Sequence, residues 1–303
     1  MSWSELPQDV LFYIFHQRWF EETESRHHLL CLLLGKTTVS LGWRRAIMAS
    51  IEEIVLSPGV TDAVLKSLPN LTRLRGTGGV PNVTAEGIAS LSRLRYLERP
   101  PKWHCVDDVL LKLPSLTHLT LCHSKNLLAS DAELLVRLTG LRSLFLFNIQ
   151  NCQILTHQLP LLTGLLALRL SHGHKVRCSH IRPLTNLTSL HLESCYELDG
   201  DCFRTLSGLT SLTLKGSAHV TAGLHHVAPT LTRLCVDRQS LPSYQEITSL
   251  TRLERIEISN VELYLAAFIP LLSLTRLQSI ETQGRIFTRQ DLLSLENTFR
   301  TTC

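Results

Sequence analysis

The feature that most constrains this chain is a repeat. From residue 68 onward an apolar residue recurs at relative positions 1, 4, 7 and usually 9, most clearly in LTNLTSLHLESC at 184–195. The first positions are Leu68, Leu91, Leu113, Leu138, Leu162, Leu184, Leu206, Ala228, Leu250 and Leu274, so ten units follow one another at steps of 22–25 residues. A weaker eleventh precedes them, with Met48, Ile51, Ile54 and Leu56 in the same register. Such self-similarity marks an array in which each unit stacks only on its neighbours.

Within a unit, apolar residues three apart turn the chain into the core. The closing pair, Leu190 with Leu192 or Leu212 with Leu214, alternates as a short strand does. Each unit therefore predicts one strand of a parallel sheet. The remaining residues, such as 61–66, 131–136 and 263–268, have the apolar spacing of a short outer helix. The expected fold is an α/β solenoid, with a curved parallel sheet on its concave face and short helices outside. One unit buries too little apolar surface to offset the entropy of ordering it, so neighbours and end caps must complete each unit's core.

Composition narrows the classes. The chain has 303 residues, 44% of them hydrophobic and 18% charged, which argues against disorder. A net charge of +4 over this length gives no case for nucleic acid or an anionic membrane. The 9 cysteines contain no CxxC pair and read as reduced thiols. Residues 1–5 lack a basic stretch leading into an apolar one, and the leucine run 29–34 is too short to span a bilayer. A cytoplasmic or nuclear protein is expected.

From about residue 48 to 295 the units resemble the leucine-rich-repeat superfamily. The inward Asn or Cys that follows the closing pair in that family is matched here only by Cys195. Gly59, Gly79, Lys102, Ser124, Ile149, Gly173, Ser217, Gln239, Val261 and Arg285 stand at the equivalent places. A continuous asparagine ladder is therefore not expected.

Ahead of the repeats, ELPQDVLFYIFH at 5–16 reads as an amphipathic helix: Pro7 suits its first turn, and Val10, Leu11, Ile14 and Phe15 share a face. HLLCLLLGK at 28–36 and TVSLGWRRAI at 38–47, with Val39, Trp43 and Ile47 on one face, complete three short helices. The order LPxDVLxxIF, leucine-rich helix, VSxxWR, then repeats resembles the F-box family, carried by Leu6, Pro7, Val10, Leu11, Ile14, Phe15, Val39, Trp43 and Arg44. That resemblance implies docking on a Skp-type adaptor, and through it a cullin, by Leu6, Pro7 and part of the set Val10, Leu11, Ile14 and Phe15. Trp43 would pack internally. The stretch from Phe15 to Trp43 is longer than the usual family spacing. The expected division is residues 1–47 as an F-box-like segment and 48–303 as a solenoid of about 10–11 units. The competing reading of the first segment is a plain helical cap, because Leu-Pro ahead of an acidic residue is a generic helix start.

Residues with chemical potential give no catalytic constellation. GKT at 35–37 lacks the first glycine of a phosphate-binding loop, that place being Leu30. His172, His174, Cys178 and His180 match no strong zinc spacing and read as a solvated loop. GxSxG, HExxH and GxGxxG do not occur, so no enzyme, metal or cofactor is expected. The informative surface is the concave face. Alternation puts Phe145 and Phe147 outside the core, flanked by Arg169, His191, Glu193 and Lys215, as an aromatic anchor inside a polar rim. The bland reading is local repacking beneath a loop. The function expected is that of a substrate-recognition adaptor of a Skp-cullin-F-box ubiquitin ligase, holding an unidentified target protein on this face. The alternative is a leucine-rich-repeat interaction scaffold or inhibitor without a ubiquitin role.

Overall fold

The structure, a computed structural model, describes residues 45, 48–56, 60–76, 83–99, 109–122, 135–148, 157–260 and 265–302. It divides into two compact units, Met1–Cys122 and His123–Cys303. The first holds β1 (Glu53–Leu56), β2 (Arg73–Gly76), β3 (Tyr96–Arg99) and β4 (His118–Cys122), paired in parallel in chain order. The second holds β5 (Ser143–Phe147), β6 (Ala167–Ser171), β7 (Ser189–Glu193), β8 (Ser211–Lys215), β9 (Arg233–Asp237), β10 (Arg255–Ser259) and β11 (Ser279–Thr282), likewise parallel, closed by an antiparallel β12 (Arg285–Thr288).

Each of the parallel strands β1 to β11 falls on the closing segment of a repeat. Alternation drives one leucine set inward: Leu184, Leu187, Leu190 and Leu192 are all buried, as are Leu206, Leu209, Leu212 and Leu214. Met48, Ile54 and Leu56 extend the core to the weak first unit. One register differs from the sequence reading. Val227, not Ala228, fills the first core position of its unit, and the Leu231 N–H donates to Val227 O (2.9 Å) across a turn one residue wider than its counterpart, Leu187 N–H to Leu184 O. The inserted residue is taken up locally, so the strand stays in step.

The outer segments are helical but short. Thr61 caps the α-helix Asp62–Lys66 by accepting from the Val64 N–H, with Asp62 and Lys66 at the ends that suit the helix dipole. Elsewhere the chain tightens into 3-10 turns, at Leu110–Lys112, Gly200–Phe203 and Leu265–Ser273 among others. The greater rise per residue of a 3-10 turn lets a short segment span its stretch of the outer layer. Of the expected helix at 131–136 only residues 135 and 136 are described.

Two hydrogen-bond devices tie the strand ends. At the entry, Thr188, Thr210 and Thr232 each donate a hydroxyl at 3.1 Å to the carbonyl of the unit before, a ladder that the apolar pattern conceals. At the exit the chain turns through the left-handed region at Asn148, His172, Ser194, Gly216, Asn260 and Gln283, each directly after its strand. Only Gly216 takes that conformation without a steric cost. The turn delivers the next residues inward. There the Cys195 N–H donates to Ser217 Oγ (3.1 Å) and the Ser217 N–H to Ser240 Oγ (2.7 Å). Hydroxyls thus do the work of the missing asparagines. The inward residue of the β9 unit is Ser240, not Gln239: Asp237 caps the turn Arg238–Ser240 and leaves Gln239 exposed.

The repeat ends earlier than its period implies. After Thr282 the chain reverses into β12, which places Arg285 on an exposed antiparallel strand instead of an inward position. The helix Arg289–Thr302 follows and buries Leu292, closing the apolar end of the stack as a terminal unit requires.

Candidate functional site on the open sheet face

The open face of the second unit is ordered in rows, because parallel register sets equivalent residues side by side. The row at the start of the strands is small from β5 to β8 (Ser143, Ala167, Ser189, Ser211) and then becomes Arg233 and Arg255. The middle row runs Phe145, Arg169, His191, Thr213, Cys235, Glu257. In the third row Phe147 pairs with Ser171, Ser171 with Glu193 and Glu193 with Lys215. All six expected partner-binding residues thus fall on one patch of one face.

Phe145 and Phe147 are half-buried, neither in the core nor fully free. Phe147 is covered in part by the Arg169 guanidinium, 4.9 Å from its ring centroid, a cation–π contact that holds the arginine across the face. His191 is hemmed in between. Burial, then Arg169 and Lys215, push its pKa from the usual 6.5 down to about 4, against the opposing pull of Glu193, whose carboxylate is 4.0 Å from Nε2. At neutral pH the ring is therefore uncharged. His191 Nε2 and Arg169 Nε are both buried without a hydrogen-bond partner. The patch is a partly desolvated aromatic surface of mixed charge in which two buried polar atoms have no hydrogen-bond partner.

Sequence reasoning missed Cys235 here. It lies in the middle row, in register with Thr213 and Glu257, and burial pushes its thiol up to about 11. Its apolar character hid it, although alternation between Leu234 and Val236 does point it to this face. On the β9 and β10 side, Arg233 pairs with Glu257 (3.8 Å).

The first unit has its own open face. Arg73 and Arg75 lie over Tyr96 at 5.6 and 5.9 Å, and both reach Glu53 (3.7 and 3.0 Å). Glu98 is raised by burial against the lowering effect of Arg75, and His118 is lowered by burial and by Arg73. These charges compensate one another.

The histidine-rich segment is helical at Cys178–Ile181, with His180 buried, and its side chains have other partners. His174 stacks on Tyr196 (5.4 Å), His180 Nδ1 accepts from the Arg177 N–H, and Cys178 turns to Asp199. Among the described residues no three His, Cys, Asp or Glu side chains converge for a metal ion. No described helix is long and apolar enough to cross a membrane. Leu6, Pro7, Val10, Leu11, Ile14 and Phe15 lie outside the described residues, as do Val39, Trp43 and Arg44.

No protein-family model matches the sequence, and no curated protein does. Solved structures do resemble the fold. Toll in the Drosophila Toll–Spätzle complex aligns over 77% of this chain and 36% of its own length, with a TM-score of 0.51 and 14% identity. An internalin of Listeria monocytogenes aligns over 91% of this chain and 94% of its own, with a TM-score of 0.46 and 15% identity. A leucine-rich-repeat protein of Leptospira interrogans aligns over 83% and 71%, at 0.42 and 15%. The counted units and the in-register parallel strands establish a leucine-rich-repeat fold, and the likeness to Toll agrees with it.

Proposed function

We propose that this chain is a non-catalytic leucine-rich-repeat scaffold that binds a protein partner on the open face of β5 to β8. The observation that carries this reading is the patch of Phe145 and Phe147, half-buried on a face where the repeat needs no aromatic residue, beside Arg169, His191, Glu193 and Lys215. Large aromatic and arginine side chains in partly desolvated surroundings supply most of the energy at protein interfaces. The mixed charges along the face disfavour a nucleic-acid backbone, which calls for a basic stripe. The test is a titration of a purified partner against wild type and Phe145→Ala/Phe147→Ala. Loss of about 2 kcal/mol or more of binding, with unchanged unfolding, is expected. Full affinity in the double variant removes the patch from the interface.

A second reading keeps the scaffold and adds a ubiquitin role. What favours it is the order Leu6-Pro7, Val10-Leu11, Ile14-Phe15, then Val39 and Trp43-Arg44 immediately ahead of the first unit at Met48, which makes residues 1–47 an F-box-like segment. In this reading the segment holds a Skp-type adaptor and cullin, and the open face presents a target protein by raising the local concentration of its lysines. Co-purification with a Skp-type adaptor, comparing wild type with Leu6→Asp/Pro7→Ala, tests it. A wild-type chain that does not bind the adaptor leaves the scaffold reading alone standing.

A further inference from the structure

The outer segments that follow β6 and β7 bring two thiols together. Cys178 opens the helix Cys178–Ile181 and is half-buried, whereas Cys202, in the turn Gly200–Phe203 of the next unit, is fully buried. Both address one peptide oxygen: Cys178 Sγ donates to Asp199 O (3.6 Å), and so does the Cys202 N–H (3.3 Å). Cys178 Sγ is also 3.0 Å from Asp199 Oδ1, and the two thiols perturb each other's titration as near neighbours do. We propose that Cys178 and Cys202 form a reversible dithiol–disulfide pair, with Cys178 the attacking and Cys202 the resolving sulfur, through which hydrogen peroxide joins the outer turns of two consecutive repeats.

The roles follow from position. Cys178 reaches solvent and Cys202 does not, so an oxidant meets Cys178 first. Interaction with the Cys202 thiol lowers the Cys178 pKa, outweighing burial and the Asp199 carboxylate, while the same interaction and burial raise Cys202. A thiolate is the nucleophilic form. Its sulfur attacks the peroxide O–O bond, an S–O bond forms, and hydroxide leaves to be protonated as water. The Cys202 sulfur then displaces the hydroxyl from the Cys178 sulfenic acid, giving the S–S bond and a second water. The two thiols lose two electrons and the peroxide gains them. The other described thiols are less suited: Cys195 is buried and donates to Glu193 O, and burial pushes both Cys195 and Cys235 up to about 11. The two repeats that would be stapled carry Arg169 on β6 and His191 with Glu193 on β7.

The experiment uses the full reduced chain, exposed to hydrogen peroxide, blocked with an alkylating reagent and digested without reductant. Mass spectrometry is expected to find the peptides of Cys178 and Cys202 joined, lighter by two hydrogens, and separated again by dithiothreitol. In Cys202→Ser the reaction should stop at a Cys178 sulfenic acid trapped by dimedone, and Cys202→Ala serves if the serine variant does not fold. Three wild-type results overturn the proposal: Cys178 recovered as sulfinic acid without the cross-link, either cysteine joined to a different one, or both recovered as alkylated thiols. The wild-type map decides without relying on any variant.

Discussion

Ser217→Ala tests whether buried hydroxyls replace the asparagine ladder. Ser217 Oγ accepts from the Cys195 N–H (3.1 Å) and donates to Lys215 O (3.1 Å), and Ser217 and Cys195 are both buried. Alanine removes both bonds, but the two losses are unequal. Lys215 O still accepts from the Ser194 N–H (2.8 Å), so that carbonyl keeps a partner. The Cys195 N–H loses its acceptor in a site closed to water. An orphaned buried donor costs about 1–3 kcal/mol, and deleting one oxygen opens little cavity, so the expected loss is about 2 kcal/mol. Stacked repeats unfold with limited cooperativity, so a global midpoint alone would blur the effect. Amide hydrogen exchange resolves it: the Cys195 amide should exchange faster by a factor corresponding to that loss, while core amides such as Leu168 change less. Ser240→Ala should act in the same way on the Ser217 amide, which donates to Ser240 Oγ at 2.7 Å. A Ser217→Ala chain within about 0.5 kcal/mol of wild type, with wild-type exchange at Cys195, would refute the ladder.

Two further outcomes follow from packing and charge. Gly223→Ala should destabilise the chain by about 3 kcal/mol or more, because its Cβ would sit 2.0 Å from Gly200 O, backbone against backbone; Gly208→Ala, whose Cβ meets only Leu187 O at 3.8 Å, is the control, and equal melting of the two variants would contradict the close approach. His191, with its pKa lowered from 6.5 to about 4, stays neutral in the native state while the unfolded chain takes up a proton. Its contribution is therefore present above about pH 6.5 and is lost as pH falls toward 4, on the order of 2 kcal/mol after allowance for screening at a partly exposed site. The gap in unfolding free energy between wild type and His191→Gln should change across that window, and a gap independent of pH would show that His191 is not desolvated.

The core was legible in the sequence because burial repeats. Leucines at fixed spacing name the strands, their direction and their register, and the open-face residues then follow from alternation alone. What escaped depends on hydrogen bonding or on single-residue shifts. Ala228 occupies the counted position, yet Val227 is the buried residue, because a wider turn costs little when Leu231 can return to Val227 O. Ser217 and Ser240 look unlike asparagine in a list of residue types, but a hydroxyl on an inward-turning chain reaches the same backbone donors. The closing strand β12 breaks the period, so periodicity could not announce it. At the candidate site, Phe145 and Phe147 were legible as misplaced aromatics. The Arg169 contact with Phe147 and the neutral state of His191 were not, since both depend on neighbours 22 or more residues away.

The devices that stabilise each repeat lie away from the candidate binding patch. Leucines fill the inner face, threonines tie the strand entries, and the hydroxyl ladder secures the inward turns after the strand exits. The side chains of Phe145 in the middle row and Phe147 in the third have no part in these devices, so changing them should separate binding from folding, and the Phe145→Ala/Phe147→Ala titration is interpretable for that reason. Arg169 Nε and His191 Nε2 are the exception: buried polar atoms without partners are a cost to the free protein. They stand on paired strands, in register and one beside the other, with Arg169 over the Phe147 ring. A cost concentrated at one place on a face otherwise free of folding duties is what a surface shaped by binding would carry, because selection for stability alone would have replaced both residues with small or apolar ones.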